Sequence, residues 1–234
     1  MSTSLNGAVV LVTGANGGLG ELFVAQALDR GAAKVYATAR TPRERNDPRI
    51  VPLTLDVTSE ESVASAAALA SDVSIVVNNA GVSGAGGQLI TGELDVIRAT
   101  FETNFFGALL VARAFAPVVA SNGGGAFIDV HSALSWLGVA GAYSATKAAF
   151  WSATNSFRLE LAGQGTHVLG LHLGYTDTPM TANVTDPKGD PADVVRAAYD
   201  GLESGELEVL ADATSTWVKQ GLSGPISALY PQFA

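Results

Sequence analysis

Seven short runs in this chain are apolar from end to end, and that pattern limits the possible folds more than any other feature. Residues 8–13, 34–38, 50–55, 73–78, 126–131, 167–173 and 207–211 read as strands. They lack the in–out alternation of a half-exposed sheet, so both faces should be covered. Between them lie alanine-rich stretches of helical length, 20–30, 59–70, 94–120, 142–162 and 191–202. Alternating strands and helices require right-handed crossovers, which predicts an α/β fold: a doubly wound parallel sheet of about seven strands with helices on both faces. No repeat or charged linker divides the 234 residues, and the glycine-rich patches 82–87 and 122–125 are loop-sized, so a single domain, 1–234, is expected.

Composition removes several function classes. With 47% hydrophobic and 15% charged residues there is material for a large core. A net charge of -9 disfavours nucleic acid and anionic membrane partners, so an anionic ligand needs a local positive site. There is no cysteine, which excludes disulfides, thiolate metal sites and a cysteine nucleophile. The start lacks a basic-then-apolar leader, and no apolar run reads as a membrane span of roughly 18 residues; a cytoplasmic protein is expected. His131, His167 and His172 lack metal-ligand spacing, so no metal is expected, and Asp129 reads as structural.

The first strand runs directly into Gly14-Ala15-Asn16-Gly17-Gly18-Leu19-Gly20 and then a helix. Glycines allow a tight turn and close approach of backbone to a pyrophosphate, whose charge meets free amides and the positive end of the helix dipole. Gly14, Asn16, Gly18, Leu19 and Gly20 are therefore candidate cofactor-binding residues. After the second strand, where an NAD site places a carboxylate against the ribose, the chain reads Thr38-Ala39-Arg40. Arg40 offers a planar cationic fork to a 2'-phosphate, which points to NADP(H). Arg43 and Arg45 read as solvated loop residues.

Tyr143 and Lys147 stand four residues apart at the start of a helix, on one face. A phenol that titrates near 10 needs a depression of ~3 units to exchange protons at neutral pH, and a neighbouring ammonium pushes that way. Ser132, just past a strand, is placed to hold a substrate oxygen while Tyr143 moves its proton; Ser135 is the alternative.

Taken in order, Thr13-Gly14 with Gly18 and Gly20, Asn78-Asn79-Ala80-Gly81, Asn104, Ser132 and Tyr143 with Lys147 resemble the short-chain dehydrogenase/reductase family over about residues 8–180. The resemblance implies one Rossmann-type domain in which Asp56 and Val57 border the adenine and Asn79, Ala80 and Gly81 line the nucleotide. It also implies that Asn104 kinks a helix and holds a water linking Lys147 to solvent, with a helix N-cap as the other reading. Lys147 would bond the nicotinamide ribose, and Thr178 the carboxamide. The chain departs from the family's pattern in having Leu173 before Gly174 where proline is usual, a shorter spacing from Ser132 to Tyr143, and an uncharged Asn16.

Trp136, Leu137, Val139, Tyr175, Met180 and Trp217 could wall a pocket for an uncharged, apolar substrate, with residues 174–234 as the substrate-binding segment. The expected function is hydride transfer between NADP(H) and a ketone, aldehyde or secondary alcohol, with Tyr143 as acid/base, in a homodimer or homotetramer. A non-catalytic NADP-binding sensor or scaffold is the alternative.

Overall fold

The computed structural model describes residues 3–84 and 87–233, so residues 85–86 of the glycine-rich loop lie outside the described residues. Seven parallel strands form one sheet in the order β3-β2-β1-β4-β5-β6-β7. They are β1 (Val9–Thr13), β2 (Lys34–Ala39), β3 (Ile50–Thr54), β4 (Ile75–Asn78), β5 (Gly125–Val130), β6 (Thr166–His172) and β7 (Glu208–Leu210). Each differs from its sequence expectation by at most a few residues at the ends. The chain winds outward from β1 to β3, then crosses back to β4 on the other flank of β1. That reversal opens a crevice at the carboxyl ends of β1 and β4, the usual ligand position in such sheets.

Successive strand residues face opposite layers, and both layers are apolar. On one side Val10, Val12, Val35 and Ile128 pack under Phe23 and Val24 of α1 (Leu19–Asp29) and Val195, Tyr199 and Leu202 of α6 (Pro191–Ser204). On the other, Leu11, Val76 and Phe127 meet Val63 of α2 (Glu60–Leu69), Val111, Phe115 and Val119 of α4 (Ala108–Ser121) and Phe150 and Phe157 of α5 (Ala142–Leu161). This double covering explains why the strands read as unbroken apolar runs.

Local chemistry sets the helix ends. The Ser59 side chain accepts from Ser62 N at 3.2 Å to start α2, and Asp190, followed by Pro191, accepts from Ala192 N at 2.8 Å to start α6. Gly205, with φ 79°, ends α6 in the left-handed conformation that glycine reaches without strain.

Two regions differ from the sequence reading. The stretch expected as one helix over 94–120 is α3 (Leu94–Phe101), a π-helical turn (Glu102–Gly107) and then α4. An 18-residue window within Leu94–Ser121 reaches a mean hydropathy of 1.5, enough by length and composition to cross a bilayer, contrary to the sequence reading; here Val111, Phe115 and Val119 of that run are fully buried against the sheet. The second difference is an additional helix, α7 (Ala213–Gly221), in what reads as a short tail. Asp212 starts it, accepting from Ser215 N at 2.7 Å.

Candidate active site

The crevice begins with the junction of β1 and β4. Thr13 Oγ1 accepts from Asn79 N and Ala80 N, both at 2.9 Å, and donates to Val77 O at 3.2 Å. Asn79 Nδ2 in turn donates to Thr13 O at 2.9 Å. These bonds lash the segment Asn79-Ala80-Gly81 to the glycine loop. Gly14 takes φ 67°, and a Cβ on Gly20 would sit 2.2 Å from Gly14 O. The first glycine turns the chain and the last lets α1 press onto the turn. α1 opens at Gly18 with no side-chain cap, so its first amides are left for another acceptor.

Two cavities meet at Gly14, Ala80 and Gly81. The larger, about 800 Å³, is lined by Asn16, Arg40, Thr41, Asp56, Val57 and Thr58. Arg40 is exposed at the lining of this space. Asp56 accepts from Thr58 N at 3.0 Å and Thr58 Oγ1 at 2.8 Å. Those bonds hold its carboxyl below the ordinary value, with a smaller contribution from Arg40. Asn16 lines this cavity and also braces the loop. Its amide donates to Thr41 O at 2.8 Å and its oxygen accepts from Arg43 N at 3.3 Å, fastening the glycine loop to the segment after β2. Arg45 corrects the sequence reading. It is not solvated: its guanidinium donates to Ala15 O at 2.8 Å and pairs with Glu21 at 3.5 Å, with the side chain 16% exposed.

The smaller cavity, about 320 Å³, is lined by Gly14, Gly18, Leu19 and Asn79 at one end and by Ser132, Tyr143 and Lys147 at the other. Leu173, Thr178, Pro179 and Met180 close a third side. The structure therefore brings together the candidate serine, tyrosine and lysine, the glycine loop and Thr178, residues spread over more than half the chain. Ser135 is buried outside this cavity with its hydroxyl unpartnered, whereas Ser132 lines it. Trp136 is buried, stacked on His172 at 4.0 Å, and Val139 and Trp217 are exposed, so of the expected pocket walls Met180 is the one in the cavity lining.

Lys147 is buried, and its Nζ donates to Val130 O at 2.7 Å, 5.8 Å from the centre of the Tyr143 ring. Burial lowers its pKa to about 8, against the opposing pull of the nearby Asp129 carboxyl. Tyr143 runs opposite to the sequence expectation of a depressed phenol. Desolvation pushes it up to about 12, and the Ser132 hydroxyl acts to lower it. The physical reason is that the amine is directed to a main-chain carbonyl, so within the chain alone the cost of an anion in a desolvated pocket prevails.

Asn104 sits in the π-helical turn, not at a helix start, so the N-cap reading does not hold. Its Oδ1 accepts from Val82 N at 2.8 Å, and its Nδ2 donates to Val82 O at 2.9 Å and Thr146 Oγ1 at 3.1 Å. Thr146 in turn donates to Tyr143 O at 2.8 Å, which ties the bulge to the first turn of α5. Inserted turns of this kind are frequent at functional sites.

Sequence reasoning missed Asp212. Its carboxylate accepts from Gly174 N at 2.5 Å while capping α7, so it holds the strand-end glycine where the resemblance leads one to expect a preceding proline. The Asp-x-x-Ser pattern at 212–215 is the signal that could have found it. Tyr230 likewise accepts from Gly138 N at 2.7 Å, pinning the chain's end to the loop after Ser132.

A family profile described as short chain dehydrogenase matches residues 8–189, more than half the chain. The chain is a short-chain dehydrogenase/reductase. Within the family it is 35% identical over 207 residues to 1-deoxy-11-beta-hydroxypentalenate dehydrogenase of Streptomyces exfoliatus, covering 81% of this chain and 75% of that protein. It is 34% identical to cis-4-hydroxycyclohexanecarboxylate dehydrogenase of Sinomonas cyclohexanicum, covering 80% of this chain and 78% of that one. Among solved structures it superposes with a TM-score of 0.92 and 38% identity on a short chain dehydrogenase from Burkholderia cenocepacia in complex with NADP, covering 98% of each chain. As a member of this family the chain is an oxidoreductase.

Proposed function

We propose that this short-chain dehydrogenase/reductase is an NADP(H)-dependent carbonyl reductase or alcohol dehydrogenase acting on an uncharged, apolar ketone, aldehyde or secondary alcohol. The observation that carries the reading is that Ser132, Tyr143 and Lys147 share one cavity with the glycine loop. NADP in the similar Burkholderia cenocepacia protein and the presence of Arg40 in the lining of the larger cavity support NADP(H) over NAD(H).

The residues fit such a cofactor. Gly14, Gly17 and Gly18 put bare backbone along the cavity beside the uncapped start of α1, a fitting cradle for a pyrophosphate. Arg40, Thr41 and Asn16 would surround a 2'-phosphate, Asp56 and Val57 the adenine, and Asn79, Ala80, Gly81 and Thr178 the remaining nucleotide. A bound NADPH supplies the hydride for the carbonyl carbon.

The chain's own groups manage the proton. Ser132 donates a hydrogen bond to the carbonyl oxygen, Tyr143 gives that oxygen its phenolic proton, and the Lys147 ammonium stabilises the phenolate left behind. A phenol held up to about 12 keeps its proton at neutral pH, so Tyr143 stands ready as the proton donor that the reduction direction requires. Lys147 is the charged residue of the cavity among the described residues, and Leu173, Pro179 and Met180 give it apolar walls, which suits a neutral substrate. Exposed Phe106 and Leu159 on the outer helices support a homodimer or homotetramer.

The test follows NADPH and NADH oxidation with a panel of ketones and aldehydes, alongside Tyr143→Phe. The expected result is NADPH-linked reduction of apolar carbonyls, a fall in kcat of about 10²–10⁴ for Tyr143→Phe, and nucleotide affinity within about twofold of the wild type. Turnover preserved in Tyr143→Phe, or a preference for NADH, would overturn the corresponding half of the reading.

A further inference from the structure

Asp129 lies on β5 with no exposed surface. Its Oδ2 accepts from Thr154 Oγ1 of α5 at 2.7 Å and its Oδ1 from Asn78 Nδ2 of β4 at 3.0 Å. The positive groups that face it, Arg158 and Lys147, both come from α5. Thr154 and Lys147 are seven residues apart, two helical turns, and so share the face of α5 that looks onto β5. The Lys147 Nζ itself bonds to the carbonyl of Val130, the residue after Asp129, at 2.7 Å.

The other neighbours bring no compensating charge. Asn78 is the side chain from β4, α4 contributes the Ala108 carbonyl bonded by Asn78 at 3.5 Å, and on β6 the partner of Asp129 is Gly170. Just past β5, His131 is held neutral, chiefly by burial, with both ring nitrogens unpartnered. A carboxylate costs free energy in such a place unless it serves a charge nearby. Burial accordingly pushes Asp129 up to about 6. The pair also carries an acceptor in reserve: Asn78 Oδ1 is buried without a partner, and a half-turn of that amide offers it to a protonated Asp129. Both protonation states are thus provided for.

We propose that Asp129 is a positioning residue of the reaction, the internal counter-charge that keeps Lys147 protonated beside Tyr143. The inference rests on Tyr143 and Lys147 being the acid–base pair. Burial brings the ammonium down to about 8 even with Asp129 acting to hold its proton, and Asp129 is the group that opposes burial. A neutral Lys147 cannot stabilise a phenolate, so turnover falls on the alkaline side when the amine discharges. Removing the carboxylate weakens the amine's hold on its proton, so that loss should occur at lower pH.

The test compares pH profiles of kcat for NADPH-driven ketone reduction in the wild type, Asp129→Asn, Thr154→Val and Tyr143→Phe, with heteronuclear NMR titration of lysine side chains in the nucleotide-free proteins. Asp129→Asn is expected to move the alkaline limb, and the Lys147 titration, about one pH unit toward acid, with KM for ketone and NADPH within about twofold. The lysine signal of Asp129→Asn should also lack the second, smaller shift that protonation of Asp129 gives the wild-type Lys147 signal near 6. Thr154→Val removes one donor but keeps the carboxylate, so its alkaline limb stays in place while that second shift of the lysine signal moves to higher pH. A folded Asp129→Asn with the wild-type alkaline limb and lysine titration overturns the proposal. If Asp129→Asn does not fold, the wild-type Lys147 signal decides: it should shift a second time as Asp129 protonates near 6, and a single titration step overturns the proposal. Wild-type turnover in Tyr143→Phe instead overturns the acid–base assignment on which the proposal rests.

Discussion

The two ends of the crevice are built from different materials. The nucleotide end is mainly backbone: Gly14 at φ 67°, Gly20 against Gly14 O, and main-chain bonds gathered by Thr13 and Asn79. The proton-transfer end is side chains, Ser132, Tyr143 and Lys147, tuned by burial. Backbone geometry either admits a group or clashes with it, whereas a buried charge network shifts by degrees. Substitutions at the first end should therefore act through shape and at the second through pH.

The largest expected effect tests shape. Gly20→Ala places a Cβ 2.2 Å from Gly14 O, in rigid backbone. Overpacking of that kind costs about 3 kcal/mol, so a lower melting temperature and loss of nucleotide binding are expected in a thermal-shift titration with NADPH. A variant that binds NADPH as the wild type does would break the contrast. Next comes Arg40→Ala, at the side-chain rim of the nucleotide end. Loss of a charge-assisted contact of about 1.5–3 kcal/mol should weaken NADPH binding by roughly 10–100-fold and leave NADH affinity unaltered, as read by fluorescence titration. Equal losses for both nucleotides would remove Arg40 from 2'-phosphate recognition. The smallest effect is expected far from both ends. Tyr230→Phe removes the acceptor for Gly138 N and should cost about 1 kcal/mol of stability, measured by denaturant unfolding, with a change in KM exceeding that in kcat. A kcat effect as large as that of Tyr143→Phe would place the chain's end in the chemistry.

Much of this was legible from local pattern. Unbroken apolar runs announced buried parallel strands, because both sheet faces are covered, and Gly14-x-x-x-Gly18-x-Gly20 after β1 announced the phosphate turn. Tyr143 and Lys147 were readable as neighbours because helical geometry alone puts them there. The π-helical turn at Asn104 was not, since it depends on Val82 and Thr146 from distant segments satisfying its amide. Arg45 and Asp212 were missed for the same reason: each acts on backbone more than 25 residues away, at Ala15 and Gly174.

By itself the sequence determined the layered fold, the glycine turn and the residue types of the site, because each follows from periodicity or from the conformations a residue allows. Only the tertiary structure decided the electrostatics. It pointed the Lys147 amine at Val130 O, raised the Tyr143 phenol instead of depressing it, and buried Asp129 on the same layer. Charge energies depend on distance and desolvation in three dimensions, and neither quantity is written in the order of residues along the chain.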